Sequence, residues 1–101
     1  MVHVALFARL QAKPGKEADV ARLLETGLAL ANQEATTPIW FALRLAPTTF
    51  GIFDAFADHA GRKAHLAGPI AAALMSKESE LLAEPLQIDH VEVLGAKIPR
   101  C

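Results

Sequence analysis

Hydrophobic and polar positions alternate along four segments of the chain and recur at helical spacing along two others. The alternation predicts β-strands over residues 2–11, 39–46, 50–56 and 86–94. The helical spacing predicts helices over residues 17–32 and 58–83, the second interrupted at Gly68 and Pro69. The predicted order is β-α-β-β-α-β, an α+β chain with the ferredoxin-like arrangement of helices on a four-stranded antiparallel sheet.

Both faces of the predicted sheet carry bulky apolar residues. Phe7, Trp40 and Phe53 share one strand parity, whereas Phe41 and Phe50 share the other. Two helices cover only one face of such a sheet, and a soluble monomer does not leave the other face exposed as one apolar patch. The pattern therefore predicts a homodimer, in which a second copy of the chain covers the uncovered face.

The register of the predicted β-hairpin decides which aromatic residue faces the acid of the next strand. If the letters APTT form the whole loop, Leu45 pairs with Phe50. If the antiparallel pairing continues from there without a shift, Phe41 is predicted to lie opposite Asp54.

Composition narrows the class of protein further. A chain of 101 residues is expected to form one domain, over residues 1–101. Its net charge of −1 provides no basic surface for nucleic acid or acidic membranes. No apolar run approaches the ~18 residues that a membrane span needs, and a single cysteine, Cys101, cannot form an internal disulfide. We therefore predict a cytoplasmic protein that binds neither nucleic acid nor membrane.

The segment FGIFDAFADHAGRKAHL, residues 50–66, contains the candidate chemistry. Asp54 shares its predicted strand face with apolar residues, so its carboxylate must be hydrogen-bonded, paired or neutral. The helix that carries His65 folds back across the sheet, which lets the imidazole ring reach Asp54. We expect Asp54 to accept a hydrogen bond from one ring nitrogen while the other nitrogen faces a substrate as a general base. The alternative is a buried pair that only joins helix to sheet.

Other polar and aromatic residues allow two interpretations. Trp40 and Arg44 share a predicted strand face and could clamp an aromatic anion. Alternatively, Trp40 fills a dimer interface while Arg44 reaches solvent. The four histidines are scattered along the chain with no i,i+4 pair among them, so no metal site is predicted.

Three stretches of the chain also carry a resemblance to a known family. These are the turn AKPGKEA, the helical segment VARLLE and the run IFDAFADHAGRKAHL. Together they resemble the antibiotic biosynthesis monooxygenase family, which includes quinol monooxygenases, over nearly the whole chain. Asp54, Phe56, Asp58 and His65 stand where members have an acid, an aromatic residue, a short acidic turn and a histidine within Ala-His-Leu. The resemblance implies a dimeric α+β barrel.

The resemblance also implies an activity. Enzymes of this family use no flavin, haem or metal; they deprotonate a phenol or quinol, and the anion reacts directly with dioxygen. Carried over, His65 would be the base or proton shuttle and Asp54 would orient it. Trp40, Phe41 and Phe56 would line the pocket. The implied partners are a small aromatic substrate, dioxygen and a second copy of the chain, with no cofactor.

The chain departs from the family pattern at several positions. Many members have glutamate and tryptophan where this chain has Asp54 and Phe56, and a second histidine where it has Gly68 and Pro69. Haem-degrading relatives need an asparagine and a tryptophan that the stretches ALFARL and ADHAGR lack. We therefore predict a cofactor-independent monooxygenase. Two alternatives stay open: a non-catalytic or decayed member that binds a small apolar metabolite, and an isomerase that uses the same base without oxygen.

Overall fold

The structure, a computed structural model, describes residues 1–99, so Cys101 lies outside the described residues. Four strands and three helices follow one another as β1 (Val4–Gln11), α1 (Glu17–Ala31), β2 (Ile39–Ala46), β3 (Thr49–Phe56), α2 (His59–Leu66), α3 (Pro69–Leu81) and β4 (Gln87–Glu92). The strand order is β2-β3-β1-β4, and every neighbouring pair is antiparallel. The predicted ferredoxin-like topology is confirmed, with the second helical segment divided into two helices.

Local sequence explains where the second helical segment begins and breaks. Asp58 caps α2, since its Oδ1 accepts a hydrogen bond from the backbone N–H of Gly61 at 2.9 Å. Gly68 and Pro69 then separate α2 from α3, because proline cannot continue a helix but fits its first turn. This break places His65 in the last turn of α2, next to the beginning of α3.

The predicted register of the β2–β3 hairpin is wrong by one residue. A bulge between Arg44 and Ala46 shifts the pairing, so that Phe50 lies opposite Arg44 rather than Leu45. A bulge inserts one extra residue into one strand and leaves the rest of the ladder displaced. Side chains alternate between the two faces of a sheet. The shift of one residue therefore places every residue of β2 before the bulge on the face opposite to the predicted one.

The bulge exchanges the faces of two aromatic residues. Trp40 lies opposite Asp54, and Phe41 lies opposite Phe53, so the predicted pairing of Phe41 with Asp54 is wrong. The Trp40 ring packs on the helix side of the sheet, where a side chain at Gly27 of α1 would stand 3.3 Å from it. Phe41 lies on the other side and is 55 % exposed.

The main core lies between the sheet and the helices. Its buried residues come from β1, α1, β3 and the end of α3: Ala8, Leu10, Ala12, Val20, Leu24, Phe50, Ile52, Leu81 and Leu82. The opposite side, here named the open face, carries Phe7, Arg9, Phe41, Leu43, Phe53 and Val91. No helix within residues 1–99 has both the length and the apolar character that a bilayer span requires.

Candidate active site

A cavity of about 510 Å³ lies between the helix side of the sheet and helices α2 and α3. Such a volume falls within the ~300–1,000 Å³ typical of small-molecule sites. Most of its lining is aliphatic, with the walls formed by Leu6, Ile52, Ile70, Leu74 and Ile88. The ionisable side chains in the lining are Asp54, His65 and Glu78. The cavity therefore combines an apolar body with a few acidic groups.

Both ring nitrogens of His65 are hydrogen-bonded to carboxylates. Nε2 lies 2.9 Å from Oδ2 of Asp54, and Nδ1 lies 2.7 Å from Oε1 of Glu34. An ionised carboxylate can only accept, so with both carboxylates ionised each ring nitrogen donates a proton and the ring is an imidazolium. The expectation that one ring nitrogen faces the substrate is therefore wrong: the structure brings Asp54 and His65 together, but it adds Glu34 on the other side.

The two carboxylates hold the ring in its charged form. Burial lowers the pKa of His65, but the hydrogen bonds and negative charges of Asp54 and Glu34 outweigh it and raise the pKa above 6.5. A raised pKa in the folded protein stabilises the fold fully below pH 6.5, and this contribution is lost as the pH rises through the folded-state pKa. Phe56 is buried and packs against the imidazole, with 5.3 Å between ring centroids. It supports the ring from behind and does not line the cavity.

Glu34 comes from the loop between α1 and β2 and is held through Oε1, which contacts both His65 and Thr37. The hydroxyl of Thr37 donates to Oε1 of Glu34 at 2.8 Å. Oε2 of Glu34 lies beside Gly68, the N-cap of α3, where a Cβ would stand 3.3 Å from that oxygen. The beginning of a helix interacts favourably with negative charge. The loop, α2 and α3 thus meet at one buried ionic cluster.

Asp54 presents the free acceptor that faces the cavity, since the other unpaired oxygen of the cluster, Oε2 of Glu34, belongs to a residue outside the cavity lining. Its side chain is 3 % exposed, and its Oδ2 accepts the hydrogen bond from His65. The other oxygen, Oδ1, is buried without a hydrogen-bond partner among the described residues. Leaving a buried acceptor unpaired costs about 1–3 kcal/mol, more when it is charged. A ligand in the cavity that donates a proton or a hydrogen bond to Oδ1 would remove that cost.

All four predicted substrate-binding residues, Phe56 among them, lie outside the cavity lining. Trp40 packs beside Gly27, Phe41 lies on the open face, and the Arg44 guanidinium covers the Phe50 ring at 4.6 Å. The predicted clamp of an aromatic anion between Trp40 and Arg44 is not formed. The bulge turns the Trp40 ring towards the helices and away from the open face.

Sequence reasoning missed Glu34, Thr37 and Glu78. Glu34 and His65 are 31 residues apart, and nothing in a polar loop marks one acid as the partner of a distant histidine. Glu78 had a visible signal, because it follows Ile70 and Leu74 at steps of four and so falls on the apolar stripe of α3.

Comparison with known proteins yields matches among solved structures. A protein of unknown function from Nitrosomonas europaea is 56 % identical, with a TM-score of 0.96, and the match covers 100 % of this chain and 98 % of the other. A protein of the same organism named "putative antibiotic biosynthesis monooxygenase" is 16 % identical over 91 % of this chain and 90 % of the other, with a TM-score of 0.80. One of that name from Deinococcus radiodurans is 22 % identical over 97 % and 98 %, with a TM-score of 0.76. No protein-family model and no curated protein matches the sequence.

These matches show which fold the chain has and with which protein it shares a family. The chain has the fold of the antibiotic biosynthesis monooxygenases, so the resemblance seen in its motifs is confirmed at the level of the fold. It belongs to one family with the Nitrosomonas europaea protein of unknown function, with which it shares more than half of its residues.

Proposed function

We propose that the protein is a cofactor-independent monooxygenase that deprotonates a small aromatic phenol or quinol in the cavity. The observation that carries this proposal is the free Oδ1 of Asp54, a buried carboxylate oxygen in the lining of an apolar cavity. Asp54 accepts the hydroxyl proton as general base. His65 and Glu34 are positioning residues, since the ring fixes Asp54 and balances its charge.

The chemistry needs no electrons from the protein. Loss of the hydroxyl proton makes the aromatic ring electron-rich enough to react with dioxygen. A quinol then loses four electrons and becomes a hydroxyquinone; one oxygen atom of dioxygen enters the ring and the other leaves as water. The substrate supplies all four electrons, so the protein has only to bind, deprotonate and exclude water. The names of proteins that share the fold support this class of reaction.

Oxygen consumption with a panel of hydroquinones, naphthoquinols and anthrones, without added cofactor, tests the proposal. We expect protein-dependent uptake of one dioxygen per substrate and a product that has gained one oxygen atom and lost two hydrogen atoms. Binding without oxygen uptake would favour the non-catalytic alternative. Incorporation of solvent deuterium into the substrate without oxygen uptake would favour the isomerase.

We also propose that the open face is the interface of a homodimer. Phe7, Phe53 and Phe41 lie side by side in register across β1, β3 and β2. Arg9 and Asp89 lie on the same face, so a two-fold related copy can supply both apolar contact and opposite charge. Burial of apolar surface stabilises association by roughly 25 cal/mol per Å².

Phe41→Glu should convert the dimer to a monomer. The substitution places a charge in the middle of the aromatic row, where association would have to desolvate it. Sedimentation velocity at micromolar concentration measures the change, with Leu28→Glu, an exposed position on α1, as the matched control. A wild-type protein that sediments as a stable monomer at that concentration would refute the proposed dimer.

A further inference from the structure

Charge is unevenly distributed around the cavity. Among residues 1–99, no lysine or arginine lines it, and the three ionisable side chains of the lining are Asp54, His65 and Glu78. The positive charge of His65 already lies between two carboxylates, and both of its N–H groups are engaged. A ligand therefore meets hydrogen-bond acceptors and negative charge, and finds no free cation.

Glu78 provides a second, separately positioned acceptor. Its Oε2 accepts a hydrogen bond from the backbone N–H of Leu86 at 2.7 Å, which fixes the carboxylate against the wall. Glu78 lies eight residues beyond Ile70 along α3, about 12 Å at the helical rise of 1.5 Å per residue. His65 lies at the other end of this wall, just before α3 begins. The two acidic groups thus face different ends of one apolar space.

We propose that the cavity takes an elongated, largely apolar ligand that donates hydrogen bonds at both ends, one to Oδ1 of Asp54 and one to the carboxylate of Glu78. The ligand is neutral or protonated, as in an aromatic diol or an aminophenol. Carboxylates and phosphates are disfavoured, because their charge would lie next to the carboxylate of Asp54 or of Glu78 with no free cation in the lining. This inference rests on the proposed function, in which the substrate donates a proton to Asp54. It restricts the substrate to molecules that carry a second hydrogen-bond donor.

Three probes on one carbon skeleton test the selectivity: 2,6-dihydroxynaphthalene, 2-naphthol and 6-hydroxy-2-naphthoate. Their binding is measured by calorimetry on the full chain under anaerobic conditions, so that turnover plays no part. We expect the diol to bind about tenfold more tightly than the naphthol, because a hydrogen bond to a charged group strengthens binding by that order. The naphthoate should bind at least about tenfold more weakly than the naphthol, because its negative charge would lie next to a carboxylate without a free cation.

Glu78→Gln separates the second contact from the first. Glutamine keeps an oxygen for the N–H of Leu86 but removes the charge, so the affinity for the diol should fall about fivefold while that for the naphthol stays unchanged. Glu80→Gln is the control, because Glu80 lies on the same helix, exposed and beside Lys77.

Several outcomes would overturn the inference. These are naphthoate binding as tightly as the diol, an unchanged diol-to-naphthol ratio in Glu78→Gln, or no saturable binding of any probe. The proposed function can be refuted independently of the selectivity. Selective anaerobic binding without oxygen uptake in air would contradict the monooxygenase and leave the selectivity standing, whereas oxygen uptake with single-donor or anionic substrates would contradict the selectivity alone.

Discussion

Asp54→Asn should lower turnover by about 10²–10⁴-fold, the range typical for loss of a general base. Asparagine keeps the shape of the side chain, and its amide oxygen can still accept the hydrogen bond from Nε2 of His65. It cannot take a proton from the substrate, so the reaction loses its base while the fold stays assembled. Steady-state oxygen uptake on a confirmed substrate measures the loss.

The control for this variant is Asp19→Asn, which removes the same charge from an exposed position on α1. Its turnover should match that of the wild type. Retention of full activity by Asp54→Asn would show that another group takes the proton. The sequence alone predicts the opposite roles, with His65 as the base and Asp54 as the residue that orients it. The reversal follows from the geometry, because His65 has no free ring nitrogen and Asp54 has a free oxygen.

His65→Ala should destabilise the fold by about 3–5 kcal/mol near pH 7, the typical result of removing one partner from a buried ion pair. The substitution leaves Asp54 and Glu34 as neighbouring buried carboxylates without a cation between them. Raising the pH to about 9 should reduce the deficit, because the contribution of the charged ring to the wild type is lost as the pH rises through the folded-state pKa of His65. Urea unfolding of wild type and variant at both pH values, at one fixed protein concentration, measures the difference.

His59→Ala provides the comparison, because His59 lies on the same helix but is exposed. It should change the free energy of unfolding by no more than about 0.5 kcal/mol. Equal small losses in the two variants would mean that the carboxylates around His65 are not ionised in the folded protein.

The fold could be predicted from the sequence because its signals are local. Alternation over β1 and β4, the cap at Asp58 and the break at Gly68 each depend on residues within a few positions. The helix that carries His65 was placed correctly for the same reason. Its contact with Asp54 followed from the topology, since α2 directly follows β3 and packs back on it.

The remainder of the site depends on features without a local signature. The bulge after Arg44 is invisible in a strand whose two faces are both apolar, and it alone decides that Trp40 and not Phe41 lies beside Asp54. Glu34 reaches His65 from a loop, where side-chain direction has no periodicity to reveal it. Sequence reasoning therefore found the Asp54–His65 pair and missed the second carboxylate, which changes the expected protonation of the ring and moves the proposed base to Asp54.

The protonation of His65 is the most direct test of this account. Nitrogen-15 NMR of the imidazole near pH 7 should show both ring nitrogens protonated, with a titration midpoint above 6.5. Glu34→Gln should lower that midpoint, because the amide accepts a hydrogen bond but carries no charge. A neutral ring with one bare nitrogen near pH 7 would contradict the account and return the role of base to His65.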